Sequence, residues 1–494
     1  MVRKSHYSLV LPSQCDSAIF SVIRNFETGY GDAMNKWEAS TGDRSNTYDV
    51  AVVGAGSGGE RVAMLLGGGV NQGTAKRVVV FESGLVGGEC PYYACIPSKE
   101  LLFEANRDQN SWDEAIKRKG EVTKHRNDEG HARDLVAAGV TLIRANAIIV
   151  GPGRIQAGSE TFEVEHVVIA TGAAHRTLDV EGGEGLWTSA DAMASDELPD
   201  SLIIVGGGAI GCELSEVYAK FGTAVTIVES GETLIASVEP EVSAAMLDHL
   251  RSIEVAVLLG VEIERLCGTV GDYEVVLKGG MVLSSTHVLV ATGKTARVRG
   301  LGLESVGIDP DALAIDERGR IAGAKNLWAV GDVTGIAPYT HGANSQALAV
   351  AENIAGGSCD VRGPVIPRCI YTHPPLAAVG RASAEFDNAD IVVARMTFDD
   401  IARPTTDCLG VGLLTVVADR KTGAIVGASG FGHSMDEVIG QLTMAMETQW
   451  PVQRLRRLVQ PFPTISEIVG AAYEALTKML AEDEVQTKFE QLTS

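Results

Sequence analysis

The chain has 494 residues, room for about three domains of roughly 150 residues each, and 45% hydrophobic content supplies their cores. With 64 acidic against 41 basic residues the net charge is −23, which argues against nucleic acid or an anionic membrane as partner. No apolar run approaches the roughly 20 residues that span a bilayer, and eight cysteines in this length do not make a secreted disulfide framework.

In chain order, residues 1–46 read as an N-terminal extension. Its "SAIFSVIRNF" could form a short amphipathic helix and its "KWEASTGDRSNT" a linker. Pro12, Gln14 and Asp16 interrupt any signal-peptide core, so the cytoplasm is the expected compartment. "YDVAVVGAGSGGERVAMLL" follows: an apolar strand, a glycine turn and a helix, with Gly54, Gly56 and Gly59 spelling G-x-G-x-x-G. Such a turn lets a pyrophosphate approach the backbone at a helix N-terminus. The next strand, "RVVVFES", ends in Glu82 and Ser83, where a carboxylate can hold a ribose hydroxyl.

"GGECPYYACIPSK" then carries Cys90 and Cys95, five residues apart. They could bridge, form half of a metal site, or pack. No second Cys/His pair has matching spacing, so no metal site is expected. Residues five apart in a regular helix lie about 8–9 Å apart, beyond the roughly 7 Å limit of a disulfide. A bridge therefore needs a distorted turn, and Pro91 argues against a regular helix start here. Lys99, four residues after Cys95, would share its helix face and could hold a thiolate or an electron-rich ring edge.

A charged helical stretch (residues 100–138) leads to strands ending in "HVVIATGAA", with Thr171 and Gly172 at the turn. "SLIIVGGGAIGCELSEVYAKFGTAVTIVES" repeats the strand–glycine–helix unit with Gly206, Gly208 and Gly211, and its second strand ends in Glu229. That carboxylate favours a bare 2′-hydroxyl and repels a 2′-phosphate. No Arg or Lys occurs from Ser230 to Leu250 to neutralise one, which points to NADH over NADPH. A second "ATG" turn holds Gly293, and the tail from about Pro364 alternates strands and helices as a separate α+β domain.

Together, the two dinucleotide units, the C-x4-C followed by "IPSK", the two "ATG" turns and "NLWAVGDVTG" resemble the class I flavoprotein (pyridine nucleotide-) disulfide oxidoreductases of lipoamide dehydrogenase type, over about residues 47–480. The resemblance implies an α/β chain of two Rossmann-like dinucleotide-binding domains plus a C-terminal α+β dimerisation domain. The expected division is 47–192 for FAD, 193–324 for NAD, 325–362 returning to the FAD domain, and 363–494 as the interface of a homodimer. It further implies a redox-active Cys90–Cys95 disulfide. Cys95 would face the flavin and Cys90 would attack a small-molecule disulfide or thiol-type substrate. Lys99 would lie near the flavin, paired with Glu213 of "GCELSE". Gly88, Gly331 and Asp332 would join the FAD site, and His341 would approach the flavin edge, although it reads equally as a helix-start histidine.

One departure matters. Such chains usually end in H-x-H-P-T-x-x-E, whose last histidine manages protons at the attacking thiol. Here "QPFPTISE" puts Gln460 and Phe462 in the histidine positions and keeps Glu467. Phenylalanine transfers no proton. Either Glu467, or Glu89 beside Cys90, takes over that work, or the reaction needs an apolar wall. The second case is similar to 2-ketopropyl coenzyme M oxidoreductase/carboxylase, a reductive C–S cleaving enzyme with phenylalanine at that place. A flavin-binding protein that has lost its reductase activity is the non-catalytic alternative.

Overall fold

The computed structural model describes residues 46–68, 75–108, 111–183 and 185–493. The N-terminal extension, with its candidate helix and linker, lies outside the described residues except for Asn46. The described chain falls into two compact units. One comprises the segments up to Gly87, Asp128–Gly172 and Val298–Val361, and the other Gly88–Asn127, Ala173–Arg297 and Arg362 onward.

The first unit is built on a seven-stranded sheet. Its first strand, Thr47–Val53, lies between Val78–Phe81 and Glu160–Ile169 and runs parallel to both, with Val53 opposite Phe81 on one side and Ile169 on the other. Val50, Ala51 and Val52 are fully buried, as a parallel strand covered on both faces requires. Leu327–Ala329 adds a further parallel strand beside Glu160–Ile169. The helix Ser57–Gly67 leaves the first strand directly, and the helix Thr340–Ile354 packs beside it.

The second unit holds a five-stranded parallel sheet in the order Ala256–Leu258, Ala224–Val228, Ser201–Val205, His287–Val290 and Trp187–Thr188. An antiparallel meander, Ile263–Thr269, Asp272–Leu277 and Val282–Ser285, is inserted in the chain between the strands Ala256–Leu258 and His287–Val290. A two-stranded ribbon pairs Ala173–His175 with Lys294–Ala296, so that His175 stands opposite Lys294. The C-terminal part is an antiparallel sheet of five strands backed by the helices Met435–Thr448 and Glu467–Thr493. The expected fold class, α/β with two Rossmann-like glycine-turn units and a C-terminal α+β part, is the observed one, the first sheet being completed by antiparallel strands at Ala147–Gly151 and Arg154–Ala157.

One local expectation needs correction. Pro91 does not prevent a helix start: Glu89–Tyr93 is helical, with the proline in its first turn, where a missing N–H goes unnoticed. The break comes at Ala94, at φ −139° and ψ −98°, after which Cys95–Ala105 begins a second helix. The turn between the cysteines is thus distorted, as any bridge between them demands.

Candidate functional site

Both glycine turns have the shape of phosphate cradles. Gly54 and Gly206 adopt φ +97° and +112°, open to glycine alone. A Cβ at Gly59 would stand 2.0 Å from Gly54 O, and one at Gly211 would stand 2.0 Å from Gly206 O, so neither turn tolerates a side chain there. At Gly208 the Cβ direction is empty within 4 Å, leaving the first-turn amides approachable by a large anion. Gly56 bridges Gly87 in parallel fashion, tying the first cradle to the loop after the second strand. The residues present therefore fit dinucleotides at both turns.

The acids after the second strands behave alike in both cradles. Glu82 accepts from Ala55 N and Gly84 N, each at 2.6 Å. Glu229 accepts from Gly207 N and Gly231 N, again each at 2.6 Å. Each carboxylate clamps its glycine turn to the neighbouring loop, besides any ribose it could hold. Ser83 beside Glu82 is exposed. Thr171 and Gly172 follow the strand Glu160–Ile169, where Ala170 N donates to Val53 O at 2.8 Å. Gly331, at φ +81°, donates its N–H to the buried Gln346 at 2.8 Å, which holds the turn bearing half-buried Asp332. His341 is exposed, with its ring stacked on Tyr339 at 5.3 Å. Gly293, at φ +107°, accepts from Arg176 N at 3.1 Å and so joins the ribbon to the second ATG turn.

Around the half-buried cysteines the second unit gathers several expected residues. Gly88, at φ +73°, precedes the short helix carrying Cys90, and Cys95 opens the next one. One turn on, Lys99 Nζ lies 2.7 Å from Glu213 Oε2, an ion pair 35% exposed on the lysine side and 8% on the glutamate side. The other Glu213 oxygen accepts Tyr371 N at 2.9 Å, and the Tyr371 ring receives the Lys99 ammonium at 4.8 Å from its centroid. Glu216, one turn beyond Glu213 and fully buried, repeats the arrangement. It accepts from Asn106 on the cysteine helix at 2.9 Å, from His373 N at 3.1 Å, and meets His249 Nε2 at 2.9 Å. Two carboxylates of the helix Ala209–Lys220 thus fix both the cysteine helix and the 371–373 loop. Beside them, burial and Asp436 push the Cys369 thiol up to about 11, and burial and Cys369 raise the Tyr371 hydroxyl to about 12.

Glu89, next to Cys90, turns to the ribbon. Lys294 Nζ lies 2.5 Å from its Oε2 and Arg297 lies 3.7 Å from its Oε1. His175 Nε2 is 3.9 Å from the same carboxylate and makes no hydrogen bond; burial, and then Lys294, lower its basicity. Within the single chain Phe462 is 76% exposed. Glu467 accepts Thr464 N at 2.6 Å. Tyr371, Glu216, His175 and Lys294 were not singled out from the sequence. Lys294 directly follows the second ATG, and Glu216 lies three residues after Glu213, so position relative to a motif was the available signal.

Among the described residues no cluster of three or more His, Cys, Asp or Glu side chains could hold a metal ion. No helix among them is long and apolar enough to cross a membrane.

Residues 48–349 match the family model described as pyridine nucleotide-disulphide oxidoreductase, and residues 366–473 match its dimerisation domain. Dihydrolipoyl dehydrogenase of Chlorobaculum tepidum is 31% identical over 464 residues, covering 87% of this chain and 98% of that protein. Dihydrolipoyl dehydrogenase of Haloferax volcanii is 29% identical, covering 88% and 97%. The HOCl-induced flavoprotein disulfide reductase RclA from Escherichia coli superposes with a TM-score of 0.78 at 26% identity, over 86% of this chain and 99% of that one. LpdA from Mycobacterium tuberculosis shares the fold, with a TM-score of 0.78 at 23% identity over 87% and 99% of the two chains.

Proposed function

Because the chain belongs to the pyridine nucleotide-disulphide oxidoreductase family and is a pyridine nucleotide-dependent flavoprotein enzyme acting on sulfur groups, we propose that it oxidises NADH and reduces a small disulfide or related acceptor through Cys90 and Cys95. FAD belongs to the first cradle, with Gly54, Gly56, Gly59, Glu82 and Asp332 as its holders, and NADH to the second, with Gly206, Gly208, Gly211 and Glu229. Residues 47–192 and 325–362 then form the FAD-binding part, 193–324 the NAD-binding part, and 363–494 the interface of a homodimer. Bound flavin would supply the two-electron relay between nicotinamide and disulfide.

The observation that carries the reading is the Lys99–Glu213 pair one helical turn after Cys95. A fixed ammonium on that face favours the thiolate form of a neighbouring cysteine. Tyr371 N–H donates to one oxygen of Glu213 and so fixes the carboxylate whose other oxygen holds the ammonium. Cys90, on the separate short helix beyond the Ala94 break, is the sulfur that attacks the acceptor. Glu89 we assign to anchoring that helix, since its carboxylate is engaged by Lys294 and Arg297.

A second reading rests on Phe462. With phenylalanine in the tail and Glu467 bonded to Thr464 N, that segment offers no imidazole to move a proton. This favours an acceptor whose reduction needs little proton transfer, including reductive C–S cleavage coupled to carboxylation. Anaerobic NADH titration of the FAD-loaded protein, followed by a thiol count in denaturant, tests the main reading. Two thiols more than in the oxidised protein are expected; an unchanged count would remove the cysteine pair from the reaction.

A further inference from the structure

Beside the short cysteine helix the second unit has a half-open cavity of about 520 Å³, within the range of small-molecule sites. Tyr92, which lies between the two cysteines in the chain, forms one wall, with Ile116 and Met193 as further apolar surface. The rest of the lining is largely basic, with Lys117, Lys119, His125 and Arg126. In a chain of net charge −23, "KRKGEVTKHR" (residues 117–126) gathers five lysines and arginines and one histidine against a single acid.

The two lining acids are already matched. Asp196 lies 3.1 Å from Lys119 Nζ, and Glu121 is exposed and 3.9 Å from Arg118. Lys119 is itself buried and spends its donors on Met193 O, Ser195 O and Asp196, so it contributes field rather than a free donor. Arg126 donates to Ala194 O at 2.8 Å and lies over the Tyr93 ring at 5.1 Å, which leaves other guanidinium N–H groups unassigned. Lys117 makes no ion pair among the described residues.

The backbone here is also costly to hold. Lys124, His125 and Arg126 adopt three consecutive left-handed conformations, φ +49°, +50° and +60°, with no glycine among them. Gly120, inside the helix Trp112–Val122, has no side chain where His125 needs room: a Cβ there would meet the imidazole at 3.0 Å. Both features cost local stability; the first places His125 and Arg126, and the second His125, among the residues that line this cavity. Strain of this kind collects at binding sites.

We propose that the cavity binds a small organic anion with an aromatic or apolar body, its charge on Lys117, His125 and Arg126 and its body against Tyr92 and Met193. The anion is either the charged arm of a disulfide acceptor or a separate effector. The binding claim is independent of the cysteine chemistry; only the second arm of the test below rests on it.

The test uses the FAD-loaded full chain and calorimetry with benzoate, uncharged benzamide and inorganic phosphate. Benzoate is expected to bind better than either control. The double variant His125→Asn, Lys117→Gln is expected to weaken it about tenfold, since asparagine tolerates the left-handed backbone and Lys117 is exposed. Flavin reduction by NADH should not change in that variant. No benzoate binding at millimolar concentration, binding unaltered in the double variant, or phosphate binding as well as benzoate would each overturn the proposal. In the second arm, turnover is measured with 5,5′-dithiobis(2-nitrobenzoate) and with uncharged 4,4′-dithiodipyridine. Selective loss of the carboxylate-bearing disulfide in the variant identifies the acceptor's own arm; equal effects of benzoate on both disulfides identify an effector.

Discussion

Lys99 and Glu213, 114 residues apart, meet at 2.7 Å, and the second oxygen of the same carboxylate holds the amide of Tyr371. Glu213 is therefore a joint between the cysteine helix and the 371–373 loop as well as the counter-ion of a lysine. Glu213→Ala would strand a part-buried N–H and a part-buried ammonium and is expected to cost about 2 kcal/mol of stability. Glu213→Gln keeps an acceptor for Tyr371 N and should cost less than half of that, while still losing the charge. Thermal melts at fixed FAD concentration compare the two; equal losses would show that the charge, not the amide bond, dominates.

The cysteine pair is separable by spectroscopy. Reduction of the FAD-loaded protein by two electrons is expected to produce a long-wavelength absorption band from the Cys95 thiolate against the oxidised flavin. Cys95→Ser should abolish it, and Cys90→Ser should show it without any reductant. Wild-type spectra from both variants would mean that the pair is structural.

Glu229 should make NADH the better donor by at least about tenfold, roughly 1.4 kcal/mol. Because Glu229 also holds Gly207 N and Gly231 N at 2.6 Å each, Glu229→Arg removes two loop hydrogen bonds along with the charge. Glu229→Gln retains acceptor capacity and isolates electrostatics. Stopped-flow flavin reduction should then show the NADH preference shrinking mainly through NADPH affinity. Equal rates and affinities for the two donors in the wild type would remove the argument.

Phe462 should make the protein a slow reductase of lipoamide or glutathione disulfide, since acid–base help of the missing kind contributes roughly 10²- to 10⁴-fold. Flavin reduction by NADH should be untouched. Phe462→His should raise turnover with lipoamide, with Glu467 beside it as orienter. Fast wild-type lipoamide turnover that survives Phe462→Ala and disappears in Glu89→Gln would instead give Glu89 the proton work.

Cys369 offers a pH test of the site's surroundings. With its thiol pushed up to about 11, chiefly by burial, only about 10⁻³ of it is thiolate at pH 8. The raised value favours the protonated form, so its alkylation rate should climb tenfold per pH unit through pH 10 without levelling. Peptide mapping after iodoacetamide treatment reads this directly. A plateau near pH 9 would show an ordinary thiol.

How much of this was legible beforehand divides by range. Both cradles, the two acids after them and the distorted turn between Cys90 and Cys95 follow from neighbours within a few residues, because strand, glycine turn and helix start are set by local backbone sterics. Pro91 is compatible with its helix for a local reason as well: proline is excluded from a helix interior, and Pro91 sits in the first turn.

The sequence by itself determined the α/β architecture with its two dinucleotide-binding units, the pairing of glycine turns with acids, and the five-residue spacing of the cysteines. Only the tertiary structure decided that Glu89 faces Lys294, 205 residues on, and that Tyr371 N, 158 residues from Glu213, completes that carboxylate's bonding. It also decided that Gly120 and His125 pack together beside Tyr92 at the wall of one cavity. The physical reason is the same for all three. Hydrophobic periodicity specifies which face of an element is buried, whereas the polar partners met there depend on which strands and helices the topology lays side by side, and burial then makes each unmatched polar group costly enough to require one.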